Sequence, residues 1–188
     1  MSAPPDVPAI VERAFDVSRR AGYVSFCRNE TGRLLAALAA TRAGTMAEFG
    51  TGTGVGTAWL RSGMSDRARI LTAELQDNLA SGAAEIFEGD AQVEVICADW
   101  ATLHDRGPFS LLFLDSRASE DSKVDKVAEL VEPGGIVVLD DLSPSEFWPP
   151  ISDGRVDVVR EQWLLDVRFV AAEVMVAPDA AVLIATKR

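Results

Sequence analysis

At 188 residues, with 48% hydrophobic and 25% charged side chains, the chain is long enough for one domain with a substantial core. Its formal net charge of −11 withholds the basic footprint that a phosphate backbone requires, which disfavours nucleic acid as a partner. No apolar stretch reaches the roughly 18 residues that span a bilayer, and Met1 to Pro8 shows no basic stretch followed by an apolar run. No membrane association and a cytoplasmic location are therefore expected. The two cysteines, Cys27 and Cys97, match neither zinc spacing nor a redox motif and are expected as buried free thiols.

Pro4, Pro5 and Pro8 suggest a disordered leader over residues 1–8. Helical spacing runs from Ala9 through Val17 and breaks at Gly22; a second helix is predicted from Asn29 to Ala40, with Leu34, Leu35 and Leu38 on one face. Residues 9–44 thus form N-terminal helices. From Thr45 short apolar runs alternate with helical stretches. Strands are predicted at Thr45–Gly50, Arg69–Glu74, Val93–Ala98, Phe109–Asp115 and Gly135–Asp140. Helices are predicted near Val55–Ser62, Asp77–Glu88 and Ser122–Val131, with a short connection at Trp100–Gly107. After Pro149 and Pro150 come a helix over Val156–Leu165, with Trp163 in the core, and two strands, Arg168–Val176 and Ala181–Thr186, joined by a tight turn. The pattern is α/β: a Rossmann-like, doubly wound, mostly parallel seven-stranded sheet with a C-terminal antiparallel hairpin and N-terminal helices, in a single domain over residues 1–188.

The run Glu48-Phe49-Gly50-Thr51-Gly52-Thr53-Gly54 follows a predicted strand and opens a predicted helix. Glycines there allow a tight turn and close approach of a ligand to the backbone, and a helix N-terminus adds free N–H groups. A phosphate loop would need Gly-Lys-Ser/Thr, which is absent. The dinucleotide fingerprint fails too, because the sixth position is Val55 counted from Gly50 and Thr57 counted from Gly52.

What remains, acidic-x-Gly-x-Gly-x-Gly, resembles motif I of the class I S-adenosylmethionine-dependent methyltransferases. The resemblance implies that Gly50, Gly52 and Gly54 cradle S-adenosylmethionine and that Glu48 faces its methionine end. Glu74, at the end of the second strand, would accept hydrogen bonds from the ribose hydroxyls. Asp99 would meet the adenine amino group, and Trp100 would line the base or lie in the core.

Asp115, Asp140 and Asp141 close the fourth and fifth strands, where ligands bind in an open parallel sheet. This arrangement resembles the catechol and caffeoyl-CoA O-methyltransferase branch, as does Glu30-Thr31-Gly32-Arg33-Leu34-Leu35 ahead of the glycine loop. The resemblance implies methyl transfer to the hydroxyl of a small molecule, with aromatic acceptors among the candidates. Asp115, Asp140 and Asp141 would hold Mg²⁺ or Ca²⁺ and lower the pKa of that hydroxyl, with Asp115 as the catalytic residue and a further contact of the cofactor. The other reading has Asp115 holding cofactor or backbone and Asp140 and Asp141 capping a turn.

The branch's Asp-Asn pair is Asp140-Asp141 here, and its lysine after the fourth strand is replaced by Ala118 beside Arg117. Arginine is a poor base, and Lys123 lies too far along to stand in. His104, the only histidine, reads as a surface residue. The segment Leu142–Pro150, with Phe147 and Trp148, reads either as a lid over the acceptor or as a packed loop or subunit contact. The branch's habit of pairing implies a homodimer, through the N-terminal helices or the terminal hairpin. The alternatives are a non-catalytic S-adenosylmethionine-binding protein, an RNA-directed methyltransferase, disfavoured by charge, and an NAD-dependent oxidoreductase, disfavoured by the glycine spacing.

Overall fold

The computed structural model describes residues 6–24, 26–115, 124–152 and 154–188. Two helices open the chain, α1 (Ala9–Ala21) and α2 (Asn29–Ala39). They are followed by β1 (Gly44–Phe49), α3 (Val55–Gly63), β2 (Ala68–Glu74), α4 (Asp77–Ile86) and β3 (Val93–Cys97). A 3₁₀ turn at Trp100–Arg106 leads to β4 (Phe109–Leu114), α5 (Val124–Ala128) and β5 (Val131–Leu142). A two-residue ribbon, β6 (Ile151–Ser152) and β7 (Arg155–Val156), precedes α6 (Val158–Leu165), β8 (Phe169–Ala177) and β9 (Ala180–Lys187).

Seven strands form one sheet in the order β3-β2-β1-β4-β5-β9-β8. The first five are parallel; β9 pairs antiparallel with β5, and β8 with β9. The predicted α/β architecture and terminal hairpin are therefore present. Alternate side chains of each central strand enter opposite layers. Met46, Ile70, Leu111, Phe113 and Val138 pack under α1, α2 and α3. Ala47, Leu71, Leu112, Leu114 and Leu139 pack against the 3₁₀ turn, α5 and α6. Strand β4 is buried along its whole length, as a central parallel strand covered on both faces must be.

Small residues let α2 and α3 approach closely. A Cβ on Gly32 would overlap the Trp59 indole, and one on Gly63 would overlap the Ala36 carbonyl. Trp59 and Trp163 are buried, each in a different layer.

Two boundaries and the burial of one cysteine differ from the sequence expectations. Strand β5 starts at Val131, which pairs with Phe109 before a register shift; Gly134 there takes φ +77, and the resulting bulge carries the strand through a segment that reads as a helix end. Helix α6 begins at Val158 because the side chain of Asp157 caps it by accepting from Arg160 N–H. That leaves Val156 in the ribbon, exposed. Cys97 is exposed whereas Cys27 is buried; Cys97 ends the outermost parallel strand, which has a neighbour on one side alone. No helix among the described residues is long and apolar enough to cross a membrane.

Candidate functional site

The chain runs from β1 to β2 and β3 on one side and returns to β4 on the other. The carboxyl ends of β1 and β4 therefore flank the switch point where an open sheet leaves a crevice. The glycine loop lies there. Gly50, Gly52 and Gly54 all have positive φ, at 94°, 53° and 87°, a conformation that side chains with a Cβ rarely adopt. Gly50 also permits a close approach, since a Cβ would lie 2.9 Å from the Asp115 carbonyl oxygen. The N–H groups of Gly50 and Thr51 donate to Ala73 O, which pins the loop to the end of β2. Gly52 N–H donates to Glu74 Oε2 at 2.8 Å and Gln76 N–H to Glu74 Oε1 at 2.9 Å. Glu74 is thus fixed beside the loop, with lone pairs left on both oxygens.

Glu48 is fully buried beneath the loop. Its Oε2 accepts from Thr57 Oγ1 and, at 2.8 Å, from Thr72 Oγ1. Its Oε1 has no partner among the described residues. Burial pushes the carboxyl up to about 7; the hydrogen bonds from Thr57 and Thr72 oppose the shift and the charge of Glu74 adds to it.

The strand ends of β4 and β5 bring more acid. Burial, and then the charges of Glu48, Asp140 and Asp141, raise Asp115 well above the carboxylate range. Asp140 is buried, accepts from Thr31 Oγ1 at 3.2 Å, and is pushed up to about 6, mainly by burial. Asp141 is the one non-glycine residue with positive φ among the described residues, at 62°. Cys27 joins this group from the segment between α1 and α2: burial and the carboxylates of Asp115, Asp140, Glu48 and Asp141 push its thiol up. Next to it Arg28 makes a two-pronged pair with Asp179 of the β8–β9 turn, both contacts at 2.9 Å.

Glu48, Asp115, Asp140 and Asp141 are therefore electrostatic neighbours. Among the described residues, however, no group of three or more His, Cys, Asp or Glu side chains is arranged to hold a metal ion. The positions expected of a general base, Arg117 and Ala118 with Lys123 beyond them, lie outside the described residues.

On the far side of β1, Trp100 stacks on Phe49 with ring centroids 4.6 Å apart and planes at 23°. It is half-buried and packs against the core layer that holds Phe49 and Leu103. Asp99 caps the 3₁₀ turn by accepting from Ala101 N–H at 2.8 Å, and it is exposed. His104 is exposed, tilted against Trp100 with centroids 5.0 Å apart.

Beyond β5, Phe147 and Trp148 are 77% and 59% exposed. The loop that carries them is tethered by Arg160, a buried guanidinium of α6 that sequence reading missed. Arg160 is 1% exposed and bonds Ser143 O at 2.8 Å, Glu173 Oε2 at 3.1 Å and Asp157 Oδ2 at 3.1 Å. Glu173 Oε1 in turn accepts from Ser145 N–H at 3.2 Å. The available signal was a charged residue on the helical face of Trp163, with an aspartate three residues before it. Cys27 is a buried free thiol, as expected; its place among the strand-end carboxylates was not read, because a break between helices carries no periodicity to mark what an inward side chain will meet.

A family profile described as a methyltransferase domain matches residues 47–142, the span from β1 to the end of β5. The chain belongs to the methyltransferase-domain family. The match takes in the glycine loop, Glu74, Asp99 and the three aspartates at the strand ends. No curated protein matches the chain. Solved structures share the fold of this methyltransferase domain over almost its full length. An O-methyltransferase from Bacillus cereus in complex with SAH is 21% identical, with 97% of this chain and 93% of that one covered and a TM-score of 0.77. The O-methyltransferase TomG from Streptomyces achromogenes, involved in tomaymycin synthesis and in complex with SAM, is 20% identical, with 97% and 92% covered and a TM-score of 0.76. A methyltransferase from Geobacter sulfurreducens is 16% identical, with 98% and 90% covered and a TM-score of 0.77. At these identities the likeness is one of fold.

Proposed function

We propose that this methyltransferase domain uses S-adenosylmethionine to methylate a hydroxyl of a small molecule. The observation that carries the reading is the acidity of the crevice. Glu48, Asp115 and Asp140 lie at the ends of β1, β4 and β5, each raised by burial, and Glu48 Oε1 is left without a partner. A pyrophosphate would be repelled there. A ligand with an ammonium and a sulfonium would be attracted, and its charge would favour the ionised carboxylates.

The residues present fit such a ligand. Glu48 Oε1 can accept from an ammonium group, Glu74 has acceptor capacity left for a pair of hydroxyls, and Trp100 offers an aromatic face beside Asp99. When bound, S-adenosylmethionine supplies a methyl group activated by positive sulfur, which an aligned oxygen displaces in line. The chain's own part is to hold the acceptor hydroxyl at the ends of β4 and β5 and to receive its proton. Asp140, fixed by Thr31, stands at the right strand end with a carboxyl close to the range useful for a base. Phe147 and Trp148 wall the acceptor side, on the loop that Arg160 anchors. The donor set of Asp115, Asp140 and Asp141 suits a hard cation in kind, but as placed it does not gather on one point, so none of these steps depends on one.

The test is methyl transfer from labelled S-adenosylmethionine to a panel of catechols and phenols. Transfer that Asp140→Asn reduces by two orders of magnitude or more, while S-adenosylhomocysteine still binds, supports the reading. Binding without transfer to any acceptor leaves a cofactor-binding protein in its place. Repeating the assay in EDTA and then in Mg²⁺ decides the cation: transfer that survives EDTA excludes it, and transfer that EDTA abolishes and Mg²⁺ restores includes it.

A further inference from the structure

The only tyrosine in the chain sits where two elements that are distant in sequence meet. Helix α1 ends at Gly22 in the left-handed conformation, with Gly22 N–H donating to Arg19 O at 3.2 Å and Tyr23 N–H donating to Ser18 O at 3.0 Å. This Schellman closure fixes the direction in which the chain leaves the helix, and so fixes the start of the Tyr23 side chain. From the same helix end, Ser18 Oγ shares a hydrogen bond with Thr53 Oγ1. One residue earlier in the glycine loop, a Cβ on Gly52 would lie 3.0 Å from Tyr23 Cε1 and 3.1 Å from its hydroxyl oxygen. Two successive loop residues, Gly52 and Thr53, are thus braced by the last turn of α1 and the residue after it.

The ring is placed against a functional part of the loop. Gly52 is the residue whose N–H clasps Glu74 Oε2, and Glu74 is the carboxylate assigned to the ribose. Four positions beyond Tyr23, Cys27 is buried beside Glu48, Asp115, Asp140 and Asp141. Tyr23 therefore lies at the glycine loop, and Cys27 near the ends of β4 and β5. Tyr23 also borders a groove of about 500 Å³ whose walls include Phe15, Val24 and Phe26.

We propose that Tyr23 is a cofactor-contacting residue, its ring forming the wall of the S-adenosylmethionine pocket over Gly52. The inference rests on the proposed use of S-adenosylmethionine and adds to it a residue outside the matched span of the family profile. An aromatic ring suits the position, because it buries the methylene chain and offers a negative π face to a sulfonium, while its hydroxyl remains within reach of polar groups. The contribution resides in the ring, so phenylalanine replaces it and alanine does not.

The single tyrosine makes the test direct. Protein carrying ¹³C-labelled tyrosine gives ring signals from one residue. On titration with S-adenosylhomocysteine those signals are expected to shift and saturate with the dissociation constant measured by calorimetry. Tyr23→Ala is expected to weaken binding by about tenfold, and Tyr23→Phe by less than about threefold. Ring signals that stay fixed while calorimetry shows binding overturn the inference, as does a folded Tyr23→Ala protein that binds as tightly as the wild type. Should Tyr23→Ala fail to fold, the labelled wild-type ring gives the answer by itself. Wild-type protein that binds no S-adenosylhomocysteine at all overturns the cofactor assignment, and the role of Tyr23 with it; that result is distinct from binding without a ring shift.

Discussion

The carboxylate of Glu48 fills the space in front of Gly56: a Cβ added there would overlap Glu48 Oε1 and come within 2.8 Å of the Phe113 ring. The glycine on the first turn of α3 therefore gives Glu48 its place under the loop. Gly56→Ala is expected to destabilise the protein by about 2 kcal/mol, the overpacking penalty less the gain in helix propensity. A fall in melting temperature of roughly 4–8 °C would follow in a protein of this size. An unchanged or raised melting temperature would show that the carboxylate has other room.

Glu48 also sets a pH dependence. Its pKa is raised from 4.5 to about 7 in the folded chain, so folding favours its protonated form. That contribution is complete below about 4.5 and is lost as pH rises towards 7, at a cost of about 3 kcal/mol from the size of the shift. Asp140, raised to about 6, acts in the same direction. The ligand-free protein is expected to lose stability between pH 4.5 and 7, and Glu48→Gln to make that slope shallower. The same variant is expected to weaken S-adenosylmethionine binding, since the amide cannot offset an ammonium. Denaturant titrations at several pH values measure the slope; identical slopes for variant and wild type would refute the account.

Arg160 is a buried charge with two carboxylate partners, Asp157 and Glu173. Arg160→Met leaves both carboxylates without their cation and is expected to cost roughly 3–5 kcal/mol. Removing Glu173 as well should recover part of the loss, because the two residues are coupled. A loss below about 1 kcal/mol in equilibrium unfolding would place this network among the weak surface pairs.

The two cysteines differ in reach. Cys97 is exposed, while Cys27 is buried and its thiol is pushed up by burial and four carboxylates. Brief treatment of the native protein with a thiol reagent is expected to label Cys97 alone, with Cys27 reacting on unfolding. Peptide mapping by mass spectrometry distinguishes the two sites, and rapid native labelling of Cys27 would contradict the burial.

How much was legible beforehand follows from the range of the interactions concerned. The alternation of apolar strands with helices, and the spacing of Gly50, Gly52 and Gly54, are local signals. A side-chain period of two or 3.6 and the demand for positive φ are imposed by the backbone itself, so the sheet, the loop and the strand-end acids could be read in order. Strand β5 was misread at its start because a bulge at Gly134 interrupts the period, and the 151–156 ribbon was too short to show one.

The glycine loop and its acidic neighbours were thus fixed by sequence: their chemistry and their place at strand ends follow from residues next to one another. Tertiary structure decided what meets them. The pairing of Tyr23 with Gly52, of Ser18 with Thr53, of Thr31 with Asp140 and of Arg160 with Ser143 joins residues from 17 to 109 positions apart. Such contacts form when helices dock on a sheet whose strand order is set by crossover handedness and by burial of two faces. No periodicity along the chain encodes them.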